Sequence, residues 1–310
     1  MNKQITDTVF MVRPTRFRMN EQTAVNNYYQ DRNAAIADQN RKAQEEFDAF
    51  AKALQTKKIN VIIVEDDDQH DTPDSIFPNN WISTHQNGDV VLYPMFAENR
   101  RVERRPEVLE TIETAGFHIE NVVDYTSAED ENLFLEGTGS LLLDRTNEIA
   151  YCSLSPRAAE ELLIEFCEDL EFTPVVFTSY QTVEDKRLPI YHTNVMMALG
   201  EQYAVICLDC IDDKKERKNV LKSLQQSGKE VITITEDQVK RFAGNMMQVQ
   251  STEGIKFLVM SDQAYRSLDD HQIKKLTAYN EILHPDIKTI ELLGGGSVRC
   301  MMAEVFLPSK

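Results

Sequence analysis

The chain has 310 residues, 42% of them hydrophobic, enough to bury a sizeable core. Its 33 basic and 51 acidic side chains give a formal charge of −18, which argues against a nucleic-acid backbone or an anionic membrane as the main partner. No apolar run reaches the roughly eighteen residues of a spanning helix, the opening "MNKQITDTVFMVRPTRF" has no signal-like apolar stretch, and five cysteines are too few and odd in number for a disulfide framework, all of which points to the cytoplasm.

Along the chain, "TVFMVRP" reads as a strand, "RNAAIADQNRKAQEEFDAFAKALQ" (residues 32–55) as a helix and "NVIIVE" as a second strand. The acidic stretch "EDDDQHDTPDSIFPN" follows; neither frame supplies both the Gly and the Glu of a calcium loop, so it is expected to be a solvated loop beside a site. Next comes a hairpin pattern, "FPNNWISTHQNGDVVLYPM", turning at Asn87-Gly88. A helical pattern "RRVERRPEVLETIETAG" and a strand "NVVDY" complete that unit.

The same layout then returns. "LEGTGSLLLDRTNEIAYCSLS" turns at Arg145-Thr146-Asn147 and is followed by the helix "PRAAEELLIEFCEDL" and the strand "TPVVFTSY". "IYHTNVMMALGEQYAVICLDC" turns at Leu199-Gly200 and leads on to "EVITIT"; "FAGNMMQVQSTEGIKFLVMS" turns at Glu253-Gly254. A fifth lead-in, "GGGSVRCMMAEVFLP", supplies one strand whose expected partner is the N-terminal "TVFMVRP". Cys207 and Cys210 form a CxxC inside a buried-strand pattern, and no second Cys or His pair of zinc spacing accompanies them.

One polar residue marks each lead-in: Asn80, Glu136, His192, Asn245 and Cys300, separated by 56, 56, 53 and 55 positions. Each unit reads as ββαβ, and five of them closing end to end predict an α/β fold, a five-bladed pseudo-fivefold propeller in which the marked residues meet at the centre. The period runs through the chain, so residues 1–310 are expected to be a single domain.

Cys300 follows three glycines, which permit positive φ and close approach to a ligand, at the expected start of an apolar strand. A thiolate there is a nucleophile, His192 is a proton donor and then a base for water, and Glu136 accepts N–H bonds from a substrate, a set suited to a trigonal carbon bearing nitrogens. Taken singly, Cys300 reads equally as a small apolar filler, His192 as a satisfied core histidine and Glu136 as a turn residue. The shared register of the three favours function.

"FPNNW", "LYPM" with "RRVE" (residues 100–103), "LEGTG", "HTN" and above all "GGGSVRCM" resemble the guanidino-group-modifying, or pentein, superfamily of arginine deiminases, dimethylarginine hydrolases and amidinotransferases, over almost the entire chain. The resemblance implies the five-bladed propeller, a covalent adduct on Cys300, acid–base work by His192 and substrate binding by Glu136. It implies no metal or organic cofactor. Arg100 or Arg101 in "RRVE" is the implied partner of a substrate carboxylate, the alternative being an exposed arginine at a helix start.

The departures bear on substrate. Asn79-Asn80 stands where arginine deiminases have Arg-Asp, Asn194 where they have the Asp of His-x-Asp, and Glu136-Gly137-Thr138-Gly139 where they have Glu-Gly-Gly-Asp. A guanidinium is best held by carboxylates, whereas a ureido oxygen needs a donor that an Asn amide supplies and an ionised Asp does not. The chain therefore also resembles the citrulline-utilisation branch, which implies citrulline converted to ornithine, carbon dioxide and ammonia. Asn79, Asn80, Asn194 and Asn245 are the candidate substrate-binding amides. A deiminase, dimethylarginine hydrolase or amidinotransferase is the alternative within the fold, with carboxylates supplied from the 65–74 loop. A non-catalytic binding propeller is the alternative outside it. The expected partner is a small amino-acid substrate, and a homo-oligomer is compatible with the composition.

Overall fold

Every expected hairpin is present in the computed structural model, which describes residues 3–34, 36–67 and 69–310. Ile82–Thr84 pairs antiparallel with Asp89–Leu92, Leu141–Asp144 with Ile149–Leu154, Met197–Leu199 with Tyr203–Ile206, and Met247–Gln250 with Lys256–Val259. The second strand of each hairpin takes a parallel neighbour: Asn121–Asp124, Thr173–Thr178, Glu230–Thr233 and Glu281–Leu283. A helix makes each crossover, as a parallel pair requires. The fifth three-stranded sheet joins the two ends of the chain. Ala303–Glu304 lies antiparallel to Thr8–Arg13, which in turn is parallel to Asn60–Glu65.

Burial falls from the first strand of each sheet to the third. Ile82–Thr84 and Leu141–Asp144 are buried throughout, whereas Asn60–Glu65 and Asn121–Asp124 are largely open to solvent. Neighbouring first strands also touch: Leu141–Asp144 meets Met197–Leu199, which meets Met247–Gln250, and Ala303–Glu304 meets Ile82–Thr84. The lead-ins to these strands are thus inside the protein. Two crossover helices show how the outside is fixed. Gln39–Thr56 buries Ala43, Phe47, Phe50, Ala51 and Leu54 along one stripe, and Lys214–Gln226 buries Val220 and Leu224.

Several boundaries differ from expectation for local reasons. The first helix begins at Gln39 rather than Arg32, because Asp38 adopts φ 56 and Asn40 is tied by its side chain to Thr15 and Phe17. The pattern 100–116 divides into Glu98–Arg101 and Pro106–Thr114, since Pro106 starts a helix but cannot continue one. "PRAAEELLIEFCEDL" is helical only from Glu160 to Asp169. An unexpected hairpin, Tyr180–Val183 with Lys186–Pro189, turns through Glu184 and Asp185, both at positive φ as a two-residue turn of the primed type requires. Ala35 of the expected helix and Asp68 of the acidic loop lie outside the described residues. Among the described residues no helix is long and apolar enough to cross a membrane.

Candidate functional site

A short helical turn precedes three of the inner strands: Pro78–Asn80, Gly137–Ser140 and Thr193–Met196, with the middle one touching both others. Two glycines allow that contact. A Cβ on Gly137, whose φ is +45, would lie 2.4 Å from the Asn79 carbonyl oxygen, and one on Gly139 would lie 2.6 Å from Asn80 Nδ2 and 2.7 Å from His192 Nδ1. Glu136 and His192 occupy the positions just before the second and third turns, so the backbone aims both side chains at the junction.

There Glu136, 0% exposed, and His192, 1% exposed, share a 2.7 Å hydrogen bond from Nε2 to Oε2. Burial works against the Glu136 carboxylate, but Arg157, His192 and Arg100 together hold it down at about 2. Burial pulls His192 down to about 4, against the attraction of Glu136. The histidine is therefore neutral near pH 7. An ionised carboxylate only accepts, so Nε2 carries the proton and Nδ1 is left as a base. The second oxygen of Glu136 accepts from the Phe96 backbone N–H at 3.0 Å.

Cys300 is buried, 3% exposed, and sits in a turn that precedes strand Ala303–Glu304, its N–H donating to Ser297 O. The strand expected to start at Cys300 starts three residues later. Of the three glycines only Gly295 has a positive φ, +61; Gly294 and Gly296 are instead spaces kept clear for the Phe77 ring. Asn194 Nδ2 and Asn245 Nδ2 donate to the Cys300 sulfur at 3.4 and 3.3 Å. Asn245 is itself anchored through the Asn194 carbonyl and the Arg299 N–H. These two amides thus cradle the thiol.

A narrow cavity of about 10 Å³ joins the parts, with Cys300, His192, Asn80, Arg100, Arg157 and Asp74 in its wall. Asn80 accepts from Arg100 Nη1 at 2.7 Å and donates through Nδ2 to Asn79 Oδ1 at 3.0 Å. Its amide orientation follows from those two bonds. Asn79 itself turns away, towards Thr138. Arg100 is almost fully used: Glu103 takes Nε and Nη2, and the Asp74 and Phe77 carbonyls take Nη2 as well. Arg101 is off the cavity wall, donating to Met95 O and pairing with Glu129 at 3.4 Å.

Among the wall residues the sequence reading did not single out, Arg157 and Asp74 carry charge, Asp74 lying in the 65–74 loop that was the expected carboxylate source for a guanidino substrate. Arg157 pairs with Glu136 at 3.4 Å and reaches Thr23 and Asn26. It follows Glu136 by 21 positions as Arg100 follows Asn80 by 20, so the repeat itself carried the signal. Asp74 is buried rather than solvated: Oδ2 accepts from Asn20 and Thr23, while Oδ1 has no partner. Burial raises its pKa, opposed by Arg100. The segment 20–30 closes the site from outside, Asn27 and Gln30 donating to the Gly294 carbonyl. The CxxC pair, Cys207 and Cys210, is buried in the core of the third sheet, and among the described residues no group of three metal-ligating side chains occurs.

Solved structures share this fold. An arginine dihydrolase, ArgZ, from the ornithine–ammonia cycle in cyanobacteria superposes with a TM-score of 0.74 at 18% identity, covering 98% of this chain and 41% of the other. Its N-terminal domain alone, a Cys-to-Ser mutant bound to substrate, gives 0.70 at 16% identity over 97% and 99%. A dimethylarginine dimethylaminohydrolase, as an adduct with S-methyl-L-thiocitrulline, gives 0.66 at 16% identity over 98% and 100%. The chain thus spans about two fifths of full-length ArgZ and the whole of the single-domain relative. A comparison with curated protein sequences gives no match. The family model described as N,N dimethylarginine dimethylhydrolase, eukaryotic, matches residues 13–307. Spanned by that model almost from end to end, the chain belongs to the dimethylarginine dimethylhydrolase family, within the pentein superfamily.

Proposed function

We propose that this protein hydrolyses the C–N bonds of the citrulline ureido group through a covalent adduct on Cys300, yielding ornithine, carbon dioxide and ammonia. The five sheets are read as propeller blades, with buried first strands inward and exposed third strands outward. The orientation of the Asn80 amide carries the substrate assignment. Arg100 occupies Oδ1 and Asn79 takes one N–H of Nδ2, so what the amide has left to offer a ligand is the second N–H, a donor. A ureido oxygen matches a donor, and a ureido N–H matches the unpartnered Asp74 Oδ1. A guanidinium has only N–H groups and would meet Nδ2 donor to donor.

In this mechanism His192 Nδ1 takes the thiol proton, the Cys300 sulfur attacks the ureido carbon, and Asn80 steadies the negative oxygen that forms. The imidazolium then gives its proton to the side-chain nitrogen of the departing ornithine as that C–N bond breaks, leaving the H2N–C(=O) group on the Cys300 sulfur. Neutral His192 next activates water, which attacks the thiocarbamate-type carbon. The C–S bond breaks, the thiolate returns, and the carbamic acid product separates into ammonia and carbon dioxide. Arg157, with its remaining donor capacity beside Asn26 and Thr23, is the partner for the α-carboxylate in place of Arg101. The cavity holds about one water, so segment 20–30 must move for substrate to enter.

The unpartnered oxygen of Asp74 supports a second reading, hydrolysis of arginine, because a buried carboxylate suits a cation. Product analysis separates the two. Ornithine and ammonia from citrulline, absent in Cys300→Ala, support the first reading; citrulline or ornithine formed from arginine, with citrulline itself inert as a substrate, would reject it.

A further inference from the structure

The inner strands have far ends as well as lead-ins, and a second polar pocket lies between two of them. Ile82–Thr84 ends at His85 and Leu141–Asp144 ends at Arg145, each 5% exposed. Three other buried arginines have a carboxylate partner: Arg100 with Glu103, Arg157 with Glu136 and Arg299 with Glu304. Among the described residues Arg145 has none within ion-pair distance. Its guanidinium reaches only His85 Nδ1 at 3.5 Å and lies over the Phe306 ring, 4.1 Å from the centroid.

His85 adds no positive charge of its own there, leaving Arg145 as the cation. Burial, and then Arg145, push its pKa well below the ordinary value, and Ser83 Oγ, itself bonded to Tyr93, holds the other ring nitrogen at 3.0 Å. A neutral imidazole accepting at Nδ1 orients the arginine without neutralising it. A guanidinium has five N–H donors and retains its charge; Glu304, the carboxylate that acts on this one from a distance, is paired to Arg299, so the desolvated Arg145 is poised for an anion. The space for that anion is present: a cavity of about 210 Å³, with Arg145 and His85 on one side and Leu170 and Phe172 on another. Gln86 and Asn87 supply amides, and Glu148 and Glu171 add negative charge that disfavours a multiply charged ion such as phosphate.

We infer that the Arg145 pocket is a second ligand site, taking a small monocarboxylate up to the size of an amino acid. The carboxylate pairs with the Arg145 guanidinium and the apolar part lies against Leu170 and Phe172. The lead-ins to the same two strands carry Asn80 and Glu136, so a ligand here sits at the far ends of elements that position the catalytic cavity.

The test is ligand-observed saturation-transfer NMR on the full chain with propionate at constant ionic strength, phosphate being added as a competitor. The expected result is a propionate signal in the wild type that phosphate does not displace. The signal should weaken roughly 10- to 100-fold in affinity in Arg145→Gln, as for loss of a charged hydrogen bond. Leu170→Trp, which fills the pocket and leaves Arg145 in place, should also remove it, guarding against a folding defect in the first variant. Arg157→Gln, altered in the catalytic cavity, should keep it. No signal in the wild type, a signal surviving both pocket variants, or one lost only in Arg157→Gln would overturn the assignment.

Discussion

Arg100 Nη1 donates to Asn80 Oδ1 over 2.7 Å in the interior, and with Nδ2 donating to Asn79 Oδ1 that bond fixes which way the amide points. In Asn80→Asp the carboxylate would accept from Arg100 and present a second acceptor where a donor now stands. Hydrolysis of citrulline should fall by about 100- to 1,000-fold in kcat/KM, the cost of losing one oxyanion donor. Activity on arginine should fall less or rise. Steady-state kinetics on both substrates give the ratio, and an equal loss on both would show that Asn80 does not read the substrate oxygen.

The sulfur offers an independent test that needs no substrate. Asn194 and Asn245 each donate one N–H to Cys300. Hydrogen bonds to a charged acceptor contribute about 1.5–3 kcal/mol each, so Asn245→Ala should slow alkylation of Cys300 by about 10- to 100-fold at neutral pH. The rate of iodoacetamide alkylation reads this directly. An unchanged rate would leave the Asn245 amide a purely packing role.

The acid side of the pH profile follows from His192 and Glu136. His192 lies at about 4 against an ordinary 6.5, so its neutral form favours the folded state above pH 6.5 and that contribution, up to roughly 3 kcal/mol, is lost as pH falls towards 4. Glu136, lowered from 4.5 to about 2, weakens the fold in the same direction but only below pH 4.5. The acid limb of kcat/KM should therefore lie near pH 4. In Glu136→Gln the limb should move lower still, because the carboxylate is what draws His192 upward. A limb near 6.5 in the parent would mean that the imidazole is solvated in the working enzyme.

Much of this was legible because it is periodic. The hairpins carry local turn chemistry and alternating apolar residues, and the 53- to 56-residue spacing of Asn80, Glu136, His192, Asn245 and Cys300 puts each in the lead-in to an inner strand, though not at one identical position in it. Asp74 and segment 20–30 were not legible, for the opposite reason. They have no strand or helix period, and the polar side chains that make them look solvated are spent on one another: Asn20 and Thr23 on Asp74, Asn27 on Gly294 and Gly295. The asparagines were visible as a set, but only the fold separates their uses. Asn80 is on the cavity wall, Asn194 and Asn245 hold the sulfur, and Asn79 faces Thr138.

Gly139 tests whether the close approach of the lead-ins is needed for activity. Its φ is not in the left-handed region, so alanine is free of backbone strain there and any effect comes from the methyl group alone. That methyl would lie 2.6 Å from Asn80 Nδ2 and 2.7 Å from His192 Nδ1. Neither neighbour yields easily, one being held by Arg100 and the other by Glu136. Gly139→Ala should lower stability by about 1–3 kcal/mol, as overpacking does, and reduce kcat/KM by at least about 100-fold through displacement of a catalytic group. Gly116→Ala is the control. Gly116 has open space around its Cβ position but φ +99, so it should lose stability through strain and keep full activity. Denaturant melts and citrulline turnover on the two variants distinguish these effects, and equal activity in both would mean that Asn80 and His192 shift without consequence.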